Sequence, residues 1–232
     1  MLDWFTSGQE QESPGLQKLR SEFGQMLDAG RHVFDTAANA FLGGTDLEVI
    51  RNDLFSTDKR INKAERQIRR ELVVHASIHG ASEFPACLVL MSIVKDAERI
   101  GDYAKNLFDL AELSPGRPSG DQLALLVELK DDISRIMATC REIFDADDEE
   151  HAKELILEAD RIENRCDEEV RKLIRQGAQD SMSTTYVLTF RYFKRVASHV
   201  RNVASSIVQP LHKLDFTSKI VKQGQAESNP EE

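Results

Sequence analysis

The sequence predicts an all-α protein built from two tandem three-helix bundles, with six long helices. Three observations indicate this fold: a composition that favours helices, Gly and Pro residues that fall where helical patterns break, and an apolar pattern that recurs along the chain. Charged residues make up 30% of the 232 residues and hydrophobic residues 41%, but aromatic residues only 6%. Because strands are enriched in aromatic and β-branched residues, this balance favours long helices.

Clusters of Pro and Gly divide the chain into six predicted helices, because these residues continue a helix poorly. Either Thr45 or Asp46 can cap the second helix, and Pro85 is acceptable in the first turn of the third. The predicted helices span roughly residues 16–42, 46–79, 84–113, 120–146, 149–177 and 182–209.

The domain organisation follows from the strongest break, SPGRPSG at residues 114–120. The tail is expected to be disordered from Lys219 onwards because it is rich in polar residues. Trp4 and Phe5 are expected to dock on a neighbouring helix, on another subunit or on the bundle itself. The predicted regions are a flexible N-terminal arm at 1–15, a first three-helix repeat at 16–113, a linker at 114–120, a second repeat at 121–212 and a polar tail at 213–232.

The apolar pattern of the third helix recurs in the sixth. Its residues are spaced by three and four positions, as in a heptad seam, and adding 96 to each number gives the seam of the sixth helix. The first seam is Leu90, Ile93, Ala97, Ile100, Ala104, Leu107 and Ala111, and the second is Tyr186, Thr189, Phe193, Val196, Val200, Val203 and Ile207.

The other helices match in the same order. Helices two and five match at an offset of 102, and helices one and four at an offset of 110. Asp58, Asn62, Glu65 and Arg69 correspond to Asp160, Asn164, Asp167 and Arg171, and Phe23, Met26, Val33 and Phe34 correspond to Ile133, Ile136, Ile143 and Phe144. Agreement in three registers predicts a duplicated three-helix unit.

Charge and composition exclude several classes of function. A net charge of −10 argues against a nucleic-acid-binding surface, which needs a basic patch, and against binding to anionic lipid. The first 15 residues have neither a basic nor an apolar region, so no signal peptide is expected. The most apolar stretch, residues 84–94, is too short to span a bilayer. Three distant cysteines predict buried, reduced thiols in a cytoplasmic protein.

Two carboxylates of the third helix form a candidate metal site. Glu98 and Asp102 are four residues apart, which places them on one face, pointing away from the seam toward the outer surface. Like charges at this spacing repel each other unless a cation lies between them, and Mg²⁺, Mn²⁺ or iron accepts such oxygen ligands. The helix-two residues Asp58, Asn62 and Glu65 complete the site if they face the same surface. The alternative is a solvated acidic face, neutralised by Arg99 and Lys95.

The stretch DAERIGDYAKNL, residues 96–107, resembles the signature helix of the PhoU family. In that signature an acidic residue precedes Arg-Ile-Gly-Asp, and an Ala, an Asn and an apolar residue follow. Arg99, Gly101 and Asn106 carry the motif, and Arg195 and Asn202 match two of its positions in the sixth helix. Gly101 lies beside the seam, where we expect a neighbouring helix to approach closely.

The resemblance implies a non-enzymatic, cytoplasmic negative regulator of inorganic phosphate uptake and phosphate-responsive signalling. Such proteins act with a phosphate transporter component at the inner membrane and, in many bacteria, with a sensor histidine kinase. For this chain we therefore expect these protein partners, and neither nucleic-acid binding nor membrane insertion. We also expect a homodimer. Several bind metal clusters through acidic pairs, which suggests Mn, Mg, Fe, Zn or Ni as a cofactor.

The second repeat departs from the family pattern. Lys194 and Ser198 replace the acidic pair in helix six, and Asn62 stands in helix two where the family usually has a carboxylate. The acidic residues of helix five, Asp160, Glu163 and Asp167, are therefore a weaker candidate metal site than those of the first repeat.

Other constellations are less specific. His75 and His79 have a spacing that suits zinc, but no third ligand is evident. Residues 145–150, DADDEE, indicate a solvated turn and helix cap because EF-hand spacing is missing.

Three alternative functions remain open: an accessory protein of a secondary phosphate transporter, a metal-dependent enzyme, and a helical scaffold without a phosphate role. The absence of a His near Glu98 argues against the enzyme.

Overall fold

The protein is all-α over residues 12–177 and 180–228, which the computed structural model describes; no strand occurs within these ranges. The predicted fold class is confirmed, and the bounds of the six long helices agree with the prediction to within about two residues. Short 3₁₀ turns at Gly80–Ser82 and Leu211–Lys213 follow two of the helices. The helices are α1 (Pro14–Gly43), α2 (Leu47–His79), α3 (Phe84–Leu113), α4 (Gly120–Ala146), α5 (Glu149–Gln176), α6 (Ser183–Val208) and α7 (Ser218–Ser228). Trp4 and Phe5 lie outside the described residues.

Side-chain caps fix the start of several helices. The Asp46 carboxylate accepts a hydrogen bond from the backbone N–H of Glu48, so Asp46 rather than Thr45 caps α2. Asp148 caps α5 by accepting from His151 N at 3.1 Å, as expected for the acidic turn. Such caps satisfy N–H groups that have no partner within the helix.

The two predicted seams form the centre of the core. All residues of the α3 seam are buried except Ala111, and all residues of the α6 seam are buried. The polar member, Thr189, donates a 2.8 Å hydrogen bond to the backbone oxygen of Thr185, which removes the cost of burying its hydroxyl group. The buried residues of both repeats form one hydrophobic cluster.

The two repeats pack on each other through α3 with α6 and α1 with α4. Phe34 and Phe193 meet edge to face with ring centroids 5.6 Å apart, and Phe23 and Phe144 do so at 4.9 Å. This geometry is a favoured arrangement of aromatic pairs and adds to the burial of their apolar surface.

The prediction of a disordered tail from Lys219 is wrong for residues 219–228, which belong to α7. Ile220 and Val221 give α7 an apolar side that packs against the core. Gly224 lies so close to Leu157 of α5 that a Cβ atom there would be 2.5 Å from Leu157 Cδ1. A few apolar contacts therefore hold a segment whose overall composition is polar.

Gly101 lies buried where α3 meets α2. A Cβ atom at this position would be 3.3 Å from Ile61 Cδ1 and 3.9 Å from Asp58 Oδ1. Gly inside a helix costs about 1 kcal/mol relative to Ala. The close approach of α2 gives the physical reason for accepting that cost.

The cysteines Cys87, Cys140 and Cys166 are buried and free. Burial raises the pKa of the Cys140 thiol to about 12, and chiefly burial does the same for Cys166. Thiols with such high pKa values are poor nucleophiles at neutral pH. None of the described helices combines the length and apolarity needed to cross a membrane.

Candidate functional site

The predicted ligands of α2 and the predicted acidic pair of α3 face each other. We call the surface formed by Asp58, Asn62, Glu65, Glu98 and Asp102 the acidic groove. Burial, more than any other factor, raises the pKa of Glu98, and the charges of Asp102, Glu65 and Asp58 raise it further. The side chains of Glu98 and Asp102 are 18% and 33% exposed, so they lie against α2 instead of pointing freely outward.

Positive side chains already occupy part of the acidic groove. Lys105 Nζ lies 3.2 Å from Asp58 Oδ2 and 3.7 Å from Asp102 Oδ1. The guanidinium group of Arg99 lies 3.7 Å from carboxylate oxygens of both Glu98 and Asp102. The expectation that Lys95 neutralises this face is wrong. Lys95 contacts Asp96 at 2.9 Å, because it lies on the side of α3 that turns toward α6.

The remaining groove residues of α2 are held by neighbours one turn away. Asn62 donates a 3.3 Å hydrogen bond to Asp58, and Arg69 lies 3.0 Å from Glu65. Asp58 therefore has two polar partners, whereas among the described residues the only cation paired with Glu98 is Arg99, at 3.7 Å. The negative charge of the acidic groove is least compensated around Glu98.

A tighter group of metal-type ligands occurs elsewhere. Ligand atoms of His75, His79 and Glu83 all lie within 4.8 Å of one another, and among residues 12–177 and 180–228 no other group of three or more His, Cys, Asp or Glu ligands meets this distance. We call these three residues the His–Glu cluster. Sequence reasoning missed Glu83, although its spacing of four from His79 was a usable signal, because Gly80 ends α2 between them.

The acidic residues of the second repeat are paired with cations. Lys194 forms an ion pair with Asp167, and the Ser198 hydroxyl donates a 2.9 Å hydrogen bond to Glu163. Arg201 lies 3.2 Å from Asp160 and 3.1 Å from Glu163. Burial raises the pKa of Glu163, and Arg201 opposes that shift. This surface offers a metal ion fewer free carboxylates than the acidic groove.

The motif residues divide between the groove and the contact of the two repeats. Arg99 is exposed at the groove, Gly101 packs on α2, and Asn106 and Arg195 are half-buried. Asn202 donates a 3.0 Å hydrogen bond to Asp96, which is fully buried between α3 and α6. Sequence reasoning did not single out Asp96, since nothing in an isolated helix shows that a charged residue meets donors from a distant one.

The first repeat is similar to a known domain family. The family model of the PhoU domain matches residues 23–111. The resemblance found in the signature stretch is thus confirmed. No curated protein matches the chain significantly.

Solved PhoU structures share the fold over most of this chain. The crystal structure of PhoU from Pseudomonas aeruginosa matches with a TM-score of 0.73 and 21% sequence identity, covering 83% of this chain and 95% of that chain. The phosphate transport system regulatory protein PhoU from Streptococcus pneumoniae matches with a TM-score of 0.69 and 17% identity, covering 89% of this chain and 97% of that chain.

The second repeat keeps contacts of the first repeat although it lies outside residues 23–111. Asn164 donates to Asp160 at 2.9 Å, as Asn62 does to Asp58. Arg201 takes the place of Lys105 at the offset of 96, and each lies 3.2 Å from the aspartate of its own repeat. At this surface the two repeats therefore share these contacts but differ in the residues that correspond to the acidic pair of α3.

Proposed function

We propose that this protein regulates inorganic phosphate uptake and phosphate-responsive signalling as a non-enzymatic adaptor on a phosphate transporter component. The match of residues 23–111 to the family model of the PhoU domain is the observation that carries the proposal. The similarity in fold to a phosphate transport system regulatory protein from Streptococcus pneumoniae supports it. In this proposal the protein is cytoplasmic, reaches the inner membrane through the transporter, acts as a homodimer, and has a sensor histidine kinase as a second partner.

The residues at the acidic groove fit a binding surface better than a catalytic centre. Glu98 and Asp102 have Arg99 and Lys105 as charged neighbours, and neither cation is a general base near neutral pH. A surface with partly unmatched negative charge attracts a basic partner segment or a cation, and it sets the rate and orientation of encounter. This arrangement supports a function by contact.

We also propose that the acidic groove binds a hard cation such as Mn²⁺ or iron. Glu65, Glu98 and Asp102 would hold the ion, because Asp58 is already held by Lys105 and Asn62. Their ligand atoms do not all lie within 4.8 Å of one another, so these side chains would have to move closer together to do so. Oxygen ligands of this kind suit hard cations, and the bound ion would supply positive charge where the carboxylates repel each other. Lys105 competes with the ion for Asp102, so the metal is expected to bind with modest affinity.

The second repeat is expected to bind no metal. The Lys194 ammonium group already occupies Asp167, the counterpart of Glu65, and an added divalent ion there would meet repulsion from it. Ser198 offers only a weak neutral ligand in place of Asp102. The asymmetry between the repeats supports a cation site in the first repeat alone.

Deletion of the gene tests the proposed function. In the deletion strain, phosphate uptake and a reporter of the phosphate-starvation response are measured in limiting and in excess phosphate. We expect the response or the uptake to be raised in excess phosphate, and a plasmid copy of the wild-type gene should restore control. A deletion strain that handles both conditions like the wild type would remove the phosphate role and favour a helical scaffold.

A further inference from the structure

The His–Glu cluster lies at the far end of α2, where three parts of the first repeat meet. His75 and His79 are one turn apart near the C-terminus of α2, and Glu83 follows the 3₁₀ turn that leads into α3. Gly80 has φ of 64° and turns the chain back, a conformation that side chains other than Gly rarely adopt. The turn brings the Glu83 carboxylate into contact with His75 Nε2.

The Glu83 carboxylate is held in place from a third element, the N-terminus of α1. The backbone N–H of Ser13 donates a 2.9 Å hydrogen bond to Glu83 Oε1, and the Ser13 hydroxyl donates another of 2.9 Å to Oε2. Partners that orient a ligating side chain in this way strengthen metal binding in proteins. The pre-oriented carboxylate means that a metal ion would require little rearrangement there.

His79 has no structural role comparable to that of His75. His75 is buried and bonded to Glu83, whereas His79 is exposed and its ring stacks on that of His75 with centroids 4.1 Å apart. A hydrogen-bond network that joins α1 to α3 needs Ser13, His75 and Glu83 but does not need His79. A metal site, in contrast to such a network, needs a third ligand atom, and His79 supplies it at the exposed edge.

We infer that His75, His79 and Glu83 bind one divalent transition-metal ion of the zinc class. Two imidazole nitrogens and one carboxylate oxygen form a ligand set that Zn²⁺ accepts, with the fourth position left to water on the exposed side. The C-terminus of α2 favours a cation, because its carbonyl groups carry partial negative charge. In this assignment the ion takes the place of the hydrogen bond between His75 and Glu83 and ties the end of α2 to the start of α3.

This site differs in chemistry and location from the acidic groove. The groove offers only oxygen ligands from the middle of α2 and α3, which suit hard cations, whereas the cluster offers nitrogen ligands, which suit borderline ions. The positions that correspond to His75 and His79 in the second repeat are Gly177 and Ser181. The inferred site therefore has no counterpart at the matching positions of the second repeat, and it is independent of the proposed phosphate function.

Zinc titration of the full chain tests the inference. After bound metal is removed with a chelator, ZnCl₂ binding is measured by calorimetry at pH 7.5, and the melting temperature is recorded with and without zinc. We expect the wild type to bind close to one equivalent and to melt at a higher temperature with zinc, because a ligand that binds only the folded state stabilises it.

Three variants separate a metal site from a hydrogen-bond network. His79→Gln should weaken zinc binding by at least about tenfold, since even loss of an outer-shell partner costs roughly 10- to 100-fold in affinity, while the metal-free protein keeps the wild-type melting temperature. His151→Gln, at an exposed His of α5, and the double variant Glu98→Gln/Asp102→Asn should both bind zinc like the wild type. Absence of saturable zinc binding by the wild type, or equal affinity in His79→Gln, would overturn the inference.

Discussion

Asp96 on α3 accepts a hydrogen bond of 2.8 Å from Nδ1 of His199 on α6. Asn202 of α6 and Lys95 of α3 donate to the same carboxylate at 3.0 and 2.9 Å. A fully buried charge costs several kcal/mol unless it is paired and hydrogen-bonded. This carboxylate therefore links the two repeats only as long as its donors stay in place.

Replacing Asp96 should destabilise the protein strongly. In Asp96→Ala, His199 and Asn202 lose their common acceptor, and we expect the free energy of unfolding to fall by about 3 kcal/mol. Urea denaturation followed by circular dichroism measures this free energy of unfolding. Asp109→Ala, at an exposed aspartate of the same helix, serves as the control and should stay within about 0.5 kcal/mol of the wild type. Equal losses in both variants would show that Asp96 does not link the repeats.

Asp96 also predicts how stability depends on pH. Burial opposes its ionisation, but hydrogen bonds from His199, Asn202 and Lys95 outweigh burial and hold the pKa of Asp96 below its usual range. A carboxyl group with a lowered pKa in the folded state adds stability above its unfolded pKa of about 4, and this stability is lost as the pH falls through the folded value. The free energy of unfolding should therefore decline below about pH 4.

The matched variant for this decline is Asp96→Asn, which keeps the size of the side chain but cannot ionise. Between about pH 5 and pH 2 its free energy of unfolding should change less steeply with pH than that of the wild type. Urea unfolding at a series of pH values gives both slopes. Parallel slopes would assign the acid sensitivity to other carboxylates.

Gly101 should tolerate no large side chain. Gly101→Leu would push α3 away from Ile61 and Asp58, and we expect a loss of about 2 kcal/mol in the free energy of unfolding, as overpacked cores show. Gly43→Ala is the control, because a Cβ atom at Gly43 meets no atom within 4 Å among the described residues, and a small gain in stability is expected. If Gly101→Leu were as stable as the wild type, the close contact of α2 and α3 would not be needed.

Metal analysis of purified variants tests the acidic groove. Glu98→Gln/Asp102→Asn removes two anionic ligands and should lower the bound Mn²⁺ or iron with little loss of helicity. Lys105→Met removes the competing ammonium group and should raise the bound metal, because Asp58 and Asp102 then lose their shared lysine partner. Ser198→Ala, in the second repeat, should change neither quantity. Equal metal content in the wild type and the double variant would show that the groove is a solvated acidic face.

Helix positions could be predicted from the sequence because they depend on local signals. Gly and Pro mark the ends of the helices, and the spacing of apolar residues marks the buried side of α3 and α6. The duplication strengthened this prediction, since each repeat supported the assignment in the other. For α7 the same reasoning failed, because only Ile220 and Val221 distinguish it from a polar tail.

Contacts between distant segments could not be predicted in the same way. Glu83 joins His75 only because the turn at Gly80 reverses the chain, and Lys105 rather than Lys95 enters the acidic groove because of how α3 is rotated against α2 and α6. Such details depend on the tertiary arrangement of helices, which the residue pattern of one helix does not contain. The sequence indicated which carboxylates lie near each other and that Arg99 accompanies them, but not that Lys105 does.

Co-purification tests the central claim most directly. The tagged full chain is recovered from detergent-solubilised cells grown in excess phosphate, and the captured proteins are identified by mass spectrometry against a tag-only control. The proposed adaptor role predicts that a phosphate transporter component is enriched with the tagged chain and absent from the control. Recovery of the chain without any phosphate transporter component would contradict it.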